Sequence, residues 1–273
     1  MKLLEHRLTN DILFKMLFVK YPELLKKLVA VLLGISLESI TEFAITNPEI
    51  PPEALGEKFC RLDINMAVNG QRVDLEVQVA NEGDYPERSL YYWAREFSSA
   101  LGEGNCYSAL PRTIVVSIVA FDLFSDYDGF HSEYEALEVR RHTRLTDKQS
   151  LHYFELPKIP QEVGADDKLE LWLSLFAAKT EEDLAKIEEL EVPEMSQAIG
   201  AYRDVVAAPV FKEAERLRSL ARHNEASALN NAEQRGEQRA NAKWESVVAD
   251  KDSAIAKQVA RIAELERKLG EGK

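Results

Sequence analysis

The chain has 273 residues, of which 45% are hydrophobic, and a formal net charge of −13. This length exceeds one typical domain but not two, which predicts one globular domain with an appendage. No apolar run reaches the roughly 20 residues that a membrane helix needs. The two cysteines form no C-x-x-C pair, which argues against a disulfide framework or a zinc site. Because residues 1–7 also lack the apolar region of a signal peptide, we expect a cytoplasmic protein without membrane spans.

The negative charge is unevenly distributed along the chain. Residues 1–209 contain 21 basic and 36 acidic residues, a net charge of −15, whereas residues 210–273 contain 13 and 11, a net charge of +2. A protein that coats nucleic acid nonspecifically would show a basic surface, so this composition argues against that class. It remains compatible with an enzyme whose metal ion offsets its carboxylates.

Two helices are predicted at the start of the chain. The first begins at Asp11, after N-cap residues, and the second runs from Glu23 to about Leu33, with Gly34 able to cap it. Asp11 and Lys15 are spaced for an ordinary ion pair on the helix surface. A short strand is expected at 41–45, and Pro51-Pro52 interrupts the chain before the next element.

Residues 59–79 alternate apolar and polar side chains on both sides of Asn69-Gly70, the dipeptide that best suits a type I′ turn. This pattern predicts a β-hairpin with one apolar and one polar face. A two-residue loop also fixes the register. The predicted facing pairs on the polar side are Asp63 with Glu76, Asn65 with Asp74, and Arg61 with Gln78.

This register gathers three carboxylates, Asp63, Asp74 and Glu76, on one patch of the hairpin. Facing Cβ atoms lie roughly 4.5–5.5 Å apart, so like charges here would repel by up to about 1 kcal/mol. A shared Mg²⁺ or Mn²⁺ ion would reverse the sign of that energy, because hard cations bind oxygen ligands. The alternative is the solvated polar face of an ordinary hairpin.

A helix is predicted from about Glu87, with an apolar stripe of Leu90, Trp93, Phe97 and Leu101. The nearly unbroken apolar segment 113–121 then predicts a strand covered on both faces. Two further strands are expected at 134–140 and 151–156. Since hairpin, helix and buried strand suit a right-handed crossover, we predict an α/β fold with a mixed sheet flanked by helices.

From Asp166 onward the pattern is helical only, and the segment from Val210 is highly charged. Four apolar residues recur there every seven positions: Val248, Ile255, Ile262 and Leu269. The second position that a coiled-coil heptad needs to be apolar is apolar in only one of the repeats. This predicts either a weak coiled coil or partner-binding helix, or a solvated lone helix. The expected division is a core domain 1–165, a helical subdomain 166–209 and a charged tail 210–273.

Five segments in order carry a family resemblance: N-D-I-L-F-K-M-L-F at 10–18, R-L-D-I at 61–64, D-L-E-V-Q at 74–78, E-R-S-L-Y-Y-W-A-R at 87–95 and L-T-D-K-Q-S-L-H-Y-F-E-L-P-K at 145–158. Over roughly residues 5–200 the chain resembles the Rpn family of recombination-promoting nucleases and putative transposases, within the PD-(D/E)xK nuclease superfamily. The resemblance implies a restriction-endonuclease-like α/β core with an all-helical C-terminal extension.

The resemblance also implies the roles of the hairpin residues. Asp63 corresponds to the aspartate of the PD motif, Glu76 to the (D/E) position and Gln78 to the x-K position. Asp63, Glu76 and the backbone carbonyl of Val77 would then hold Mg²⁺, or Mn²⁺. An amide at Gln78 orients water but carries no positive charge, so we expect Lys15 to supply the cation.

Peripheral roles follow from the same comparison. Asp11 is an expected accessory metal ligand, and Arg88, Tyr92 and Arg95 are expected contacts to the DNA backbone. The predicted function is a metal-dependent DNA endonuclease with a role in recombination, mobile elements or phage defence, assembled as a homo-oligomer through its tail. The alternative is a catalytically weak interaction protein that acts through the helical tail.

Overall fold

The computed structural model describes residues 2–47, 64–102 and 104–270. The strands are β1 (Phe43–Ile45), β2 (Ile64–Val68), β3 (Gln71–Gln78), β4 (Thr113–Val119), β5 (His131–Tyr134) and β6 (Gln149–Glu155). The helices are α1 (Asp11–Lys20), α2 (Pro22–Leu32), α3 (Tyr85–Ser99), α4 (Lys168–Ala177), α5 (Glu181–Glu188), α6 (Pro193–Ala207) and α7 (Pro209–Gly270). The described strands form one mixed sheet in the order β1-β2-β3-β4-β6-β5. The predicted α/β core with a helical C-terminal extension is confirmed.

The hairpin turn and register agree with the sequence-based prediction. Asn69 and Gly70 have φ angles of 48° and 74°, the positive values that a type I′ turn requires. Strands β2 and β3 pair antiparallel, with Ile64 facing Leu75 and Asn65 facing Asp74. The turn therefore sets which β3 residues share a face. The predicted partners Arg61 and Asp63 lie outside the described residues.

The connection from β3 through α3 to β4 is the predicted parallel crossover. Glu76 of β3 lies beside Ser117 of β4, and Gln78 lies beside Val119. Every residue of β4 is buried, as its apolar sequence predicted, because helices cover both faces of the sheet. Strand β6 also pairs parallel with β4, so β3, β4 and β6 end at the same edge.

The main core lies between one sheet face and the helices α1, α2, α4 and α6. Its largest buried side chains come from α1 and α4, where Phe18 stacks with Phe176 at a centroid distance of 6.3 Å. The opposite sheet face packs against α3 in a smaller cluster around Tyr85, Val115 and Tyr153. Asp74 and Glu76 of β3 lie beside Val115 and Ser117, on the same side of the sheet as this smaller cluster.

The predicted apolar stripe of α3 is confirmed at Trp93, which packs against the sheet, and is wrong at Leu90, which is 46% exposed. Instead, the helix begins at Tyr85 and uses Tyr85, Ser89 and Trp93 to contact the sheet. The Ser89 hydroxyl bonds the Tyr153 hydroxyl at 2.5 Å, and Trp93 Nε1 donates to the Thr113 carbonyl at 3.0 Å. This sheet face carries both apolar and polar side chains, and the helix contacts it through amphipathic residues.

The predicted strand 134–140 is also displaced, since β5 ends at Tyr134. The chain after it folds back on itself through an isolated bridge between Leu137 and Arg144. The carboxylate of Glu138 accepts hydrogen bonds from the backbone N–H groups of Arg140 and Arg141 at 3.1 and 2.6 Å. These side chain to backbone bonds replace strand pairing with a local turn.

Two compact units divide the chain at Arg218 and Ser219. In the first unit, α7 begins with the fully buried Phe211, and Arg218 makes an ion pair with Asp11 at 2.8 Å. In the second unit, Val248, Ile255 and Ile262 are more than half exposed. None of the described helices is long and apolar enough to cross a membrane.

Candidate active site

Strand β3 presents three polar side chains to the α3 side of the sheet. Asp74, Glu76 and Gln78 alternate with Val73, Leu75 and Val77, and the period of two places all three on one face. Asp74 is 4% exposed and Glu76 is 6% exposed. The burial of Asp74 and Glu76 contradicts the interpretation of these two residues as part of the solvated face of an ordinary hairpin.

Neighbouring strands and the first turn of α3 complete the surroundings of the two carboxylates. Asn65 faces Asp74 across the hairpin, and Ser117 lies beside Glu76. Tyr85 is fully buried, and burial raises the pKa of its phenol, with the charges of Glu76 and Asp74 acting in the same direction against a smaller effect of Ser117. Tyr85 thus stays protonated at neutral pH and keeps a hydroxyl donor near the carboxylates.

The donor chemistry of this site fits a hard divalent cation. Carboxylates are almost never fully buried unless they are paired or coordinate a metal, and Mg²⁺ prefers carboxylate, carbonyl and water oxygens. Within the described part of the chain, no group of three or more His, Cys, Asp or Glu residues could hold a metal ion. Asp63, the predicted partner of Glu76, lies outside that part, so β3 supplies one side of the predicted ligand set.

The remaining hairpin residues of the predicted site lie at the end of β3. Gln78 is half-buried, and its Nε2 donates to the carbonyl of Ala80 at 3.0 Å. Val77 is the residue between Glu76 and Gln78, and its side chain packs against the main core. The amide of Gln78 is therefore oriented by the chain that leaves the strand.

The two predicted residues of α1 have different environments. Lys15 is 2% exposed, so its ammonium lies inside the fold rather than on a helix surface. Asp11 accepts from the backbone N–H of Ile12 at 3.0 Å and forms its ion pair with Arg218 of α7. A buried lysine is held by compensating partners, whereas Asp11 links α1 to the start of α7.

The predicted DNA contacts lie along α3. Arg88 makes an ion pair with Glu82 at 2.7 Å, and its guanidinium lies 5.0 Å from the ring centroid of Tyr85. Tyr92 is half-buried and packs edge-on against Tyr91, and Arg95 is exposed. Arg88 is thus the residue of this set that contacts the surroundings of the carboxylates directly.

A second polar cluster lies at the other edge of the sheet, between β5 and β6. The Ser150 hydroxyl donates to Glu133 Oε1 at 2.9 Å and lies 2.9 Å from His152 Nε2. Because that hydroxyl gives its proton to Glu133, it accepts from His152 Nε2, and His152 Nδ1 accepts in turn from His131 Nε2 at 3.1 Å. The bonding pattern therefore requires the imidazole of His152 to be neutral, with its proton on Nε2.

This histidine pair makes stability depend on pH. Burial lowers the pKa of His152 to about 4, with Glu133 opposing and with His131 and Arg112 acting in the same direction, and burial also lowers the pKa of His131. The unfolded chain therefore binds more protons below about pH 6.5, and stability falls as the pH falls towards 4. From His152 alone we expect a loss of about 3 kcal/mol across this window.

Urea unfolding at pH 7.5 and 4.5 measures this effect. His152→Gln is expected to show a smaller difference between the two pH values than the unchanged chain. His142→Asn, at an exposed turn position with φ of 54°, serves as the control and should keep the full difference. An equal pH dependence in all three proteins would assign the acid sensitivity to carboxylates elsewhere.

Sequence reasoning missed Tyr85, which it placed in a loop. The available signal was Pro86, because proline is favoured in the first turn of a helix, and the helix does begin one residue before it. It also gave no role to Ser117 or to the E-L-P-K end of the last family segment. Those residues come together only through strand order, which local patterns do not determine.

Comparison with known proteins identifies the family of the chain. The family described as PD-(D/E)XK nuclease family transposase matches residues 8–232. No curated protein and no solved structure matches the chain significantly. The family match covers the hairpin, the crossover helix and the six-strand sheet, and it confirms the resemblance seen in the sequence. The chain therefore belongs to the PD-(D/E)XK nuclease family transposases.

Proposed function

We propose that the protein is a metal-dependent DNA endonuclease that hydrolyses phosphodiester bonds. The observation that carries this proposal is the buried pair Asp74 and Glu76 on β3. The register predicted from the sequence would pair Glu76 with Asp63. Two buried carboxylates on one strand are costly to a fold unless they are hydrogen-bonded, paired or bound to a cation. A nuclease of this family would use such carboxylates to bind its metal ion.

The roles of the residues follow from their chemistry. Asp63, Glu76 and the carbonyl of Val77 would hold Mg²⁺, with Mn²⁺ as the substitute and Asp11 as an accessory ligand through water. When bound, the metal lowers the pKa of a coordinated water and stabilises the charge that develops on the phosphate. Glu76 is oriented by the strand and enclosed by α3, which excludes bulk water from the carboxylate.

Gln78 and Lys15 are assigned the two functions that a single lysine performs at the x-K position, which are orienting water and supplying a positive charge. The Gln78 amide accepts from and donates to water, which suits it to orient the attacking nucleophile. Lys15 supplies a positive charge inside the fold, where Coulomb interactions are stronger than in water. Arg88, Tyr92 and Arg95 on α3 are assigned to the phosphate backbone of DNA.

The biological role proposed for this activity is DNA recombination, either in mobile elements or in defence against phage, in the cytoplasm. Residues 1–165 supply the nuclease core and 166–209 a helical subdomain. The acidic charge of residues 1–209 means that long-range attraction is not what recruits DNA. Recognition is therefore assigned to local contacts on α3 and to the metal.

Cleavage of supercoiled plasmid tests the proposal. The unchanged protein is expected to produce nicked and then linear DNA with Mg²⁺ or Mn²⁺ and no product with EDTA. Asp63→Ala is expected to be inactive under every condition. Equal cleavage by both proteins would indicate contamination or another site, and no cleavage with any divalent metal would favour an interaction protein.

The second candidate function is a catalytically weak protein that acts through its tail. The half-exposed apolar residues Val248, Ile255 and Ile262 favour self-association, because a helix of this length gains most of its stability from packing. A chain that ends at Arg218 is expected to be monomeric and the full chain dimeric, as measured by light scattering. Equal masses would show that residues 219–273 do not assemble the protein.

A further inference from the structure

The E-L-P-K residues 155–158 end the last strand of the parallel set. Strand β6 stops at Glu155, and a short 3-10 turn follows at Leu156–Lys158. This turn brings the side chain of Lys158 back to Glu155, where Nζ lies 3.0 Å from both carboxylate oxygens. The pair lies at the edge of the sheet where β3 also ends, in the same cross-strand row as Val119 and Gln78.

Glu155 is fully buried, with 0% of its side chain exposed. Its Oε1 accepts hydrogen bonds from the backbone N–H groups of Leu123 and Phe124, at 2.6 and 3.1 Å. These two residues belong to the loop between β4 and β5. A buried carboxylate that accepts backbone donors and pairs with an ammonium fixes the loop in one position.

Lys158 binds other polar groups of the same loop. Its Nζ donates to the carbonyls of Phe124 and Tyr127, at 2.6 Å each, and makes an ion pair with Asp122 at 3.0 Å. Burial lowers the pKa of Lys158, but the hydrogen bonds with Asp122 and Glu155 outweigh it and raise the pKa above the ordinary value. The ammonium therefore stays charged across the neutral range.

The loop held by Glu155 and Lys158, together with the residue before it, contacts the end of β3 and the start of α3. Where it leaves β4, the N–H of Ala120 donates to the carbonyl of Gln78 at 2.9 Å. One residue later, the ring of Phe121 packs edge-on against Tyr85, with a centroid distance of 6.2 Å. The end of β3 and the start of α3 are thus both in contact with the loop that Glu155 and Lys158 hold.

We propose that Glu155 and Lys158 are positioning residues of the candidate active site. They hold residues 121–127 so that Phe121 packs against Tyr85 and the preceding residue, Ala120, bonds Gln78. The inference rests on the proposed function for its effect on catalysis, but the clamp itself is testable without cleavage. Neither residue touches the substrate in this proposal. Their role is to keep Gln78 and Tyr85 in register with Glu76, where a shift of about 1 Å is costly to catalysis.

A purely stabilising role would not require the number of directed contacts that Glu155 and Lys158 make to the loop. A buried ion pair is often no more stabilising than apolar residues of the same volume, whereas this pair makes directed contacts to four residues of one loop: Asp122, Leu123, Phe124 and Tyr127. Ordering a loop costs conformational entropy for each residue fixed. These contacts therefore serve to fix the position of the loop.

Hydrogen–deuterium exchange of the full chain tests the clamp without cleavage. Lys158→Met removes the ammonium and keeps the stem, and it is expected to speed exchange at least about tenfold in peptides covering 121–127 and 76–82, since both depend on the same contacts. Peptides from α4 should not change. Lys179→Met, at an exposed lysine, is the matched control, and faster exchange confined to 121–127 would overturn the proposal.

Cleavage kinetics supply the second readout. Lys158→Met is expected to lower kcat about tenfold with KM for DNA unchanged, and Lys158→Arg, which keeps the charge and the donors, should recover part of the loss. Asp122→Asn removes one exposed contact and provides a milder variant if Lys158→Met folds poorly. A lowered melting temperature with an unchanged kcat would show a merely structural role. An inactive unchanged protein would defeat the nuclease proposal, while the exchange data would still decide the clamp.

Discussion

Replacing Glu76 by glutamine is expected to reduce plasmid cleavage by at least about 10³-fold. Metal-assisted stabilisation of a phosphoryl transition state contributes several kcal/mol, and each 1.36 kcal/mol corresponds to a factor of ten in rate. Glutamine has the same shape as glutamate, so the packing under α3 is preserved while the charge is lost. Initial rates of nicking at saturating Mg²⁺ measure the effect.

Two further variants decide how such a result is read. Asp63→Asn should lose activity to a similar extent, because the proposed function assigns Asp63 and Glu76 to the same metal ion. Glu162→Gln, at an exposed carboxylate before α4, should cleave at the unchanged rate. Full activity in Glu76→Gln, with melting temperatures equal in all proteins, would remove the hairpin from the catalytic site.

The hairpin could be predicted because its information is local. Asn69-Gly70 fixes the turn, the turn fixes the register, and the period of two assigns each side chain to a face. The resulting pairing of Asn65 with Asp74 is present in the structure. The burial of Asp74 could not be predicted in this way, since polar strand residues look solvated in a sequence and the groups that cover them are distant along the chain.

The misplaced elements have a common physical cause. The apolar stripe predicted for helix α3 includes Leu90, which is exposed, whereas Ser89 and Trp93 reach hydrogen-bond partners on the sheet. The contacts of Lys158 depend on a loop about 30 residues earlier in the chain. In both cases the partner is distant in sequence, so no local pattern specifies the inward face.

The tail boundary is a further case in which distant contacts decide. Pro209 marks a change of composition, and the sequence-based division at 209/210 follows it. In the structure, however, the first turns of α7 belong to the first compact unit, which extends to Arg218. Phe211 packs edge-on against His6, and Glu215 accepts a hydrogen bond from Asn10 at 3.1 Å. The start of α7 therefore closes over the N-terminal residues that lead into α1.

A chain that ends at Ala208 is expected to be much less stable than one that ends at Arg218. The shorter chain lacks Phe211, whose ring is fully buried, and deleting such a ring costs about 3–5 kcal/mol. It also loses the ion pair of Arg218 with Asp11. For a chain of this size the melting temperature should fall by roughly 6–20 °C.

Calorimetry of the two truncated chains and of full-length Phe211→Ala separates the causes. The chain ending at Arg218 should melt within a few degrees of the full chain, because the side chains described in residues 219–224 and 226–267 are mostly exposed. Phe211→Ala should reproduce most of the loss seen on truncation at Ala208. Equal melting temperatures for the two truncated chains would mean that residues 209–218 contribute little to the first unit, and the coupling of α7 to α1 through Asp11 would then have no energetic basis.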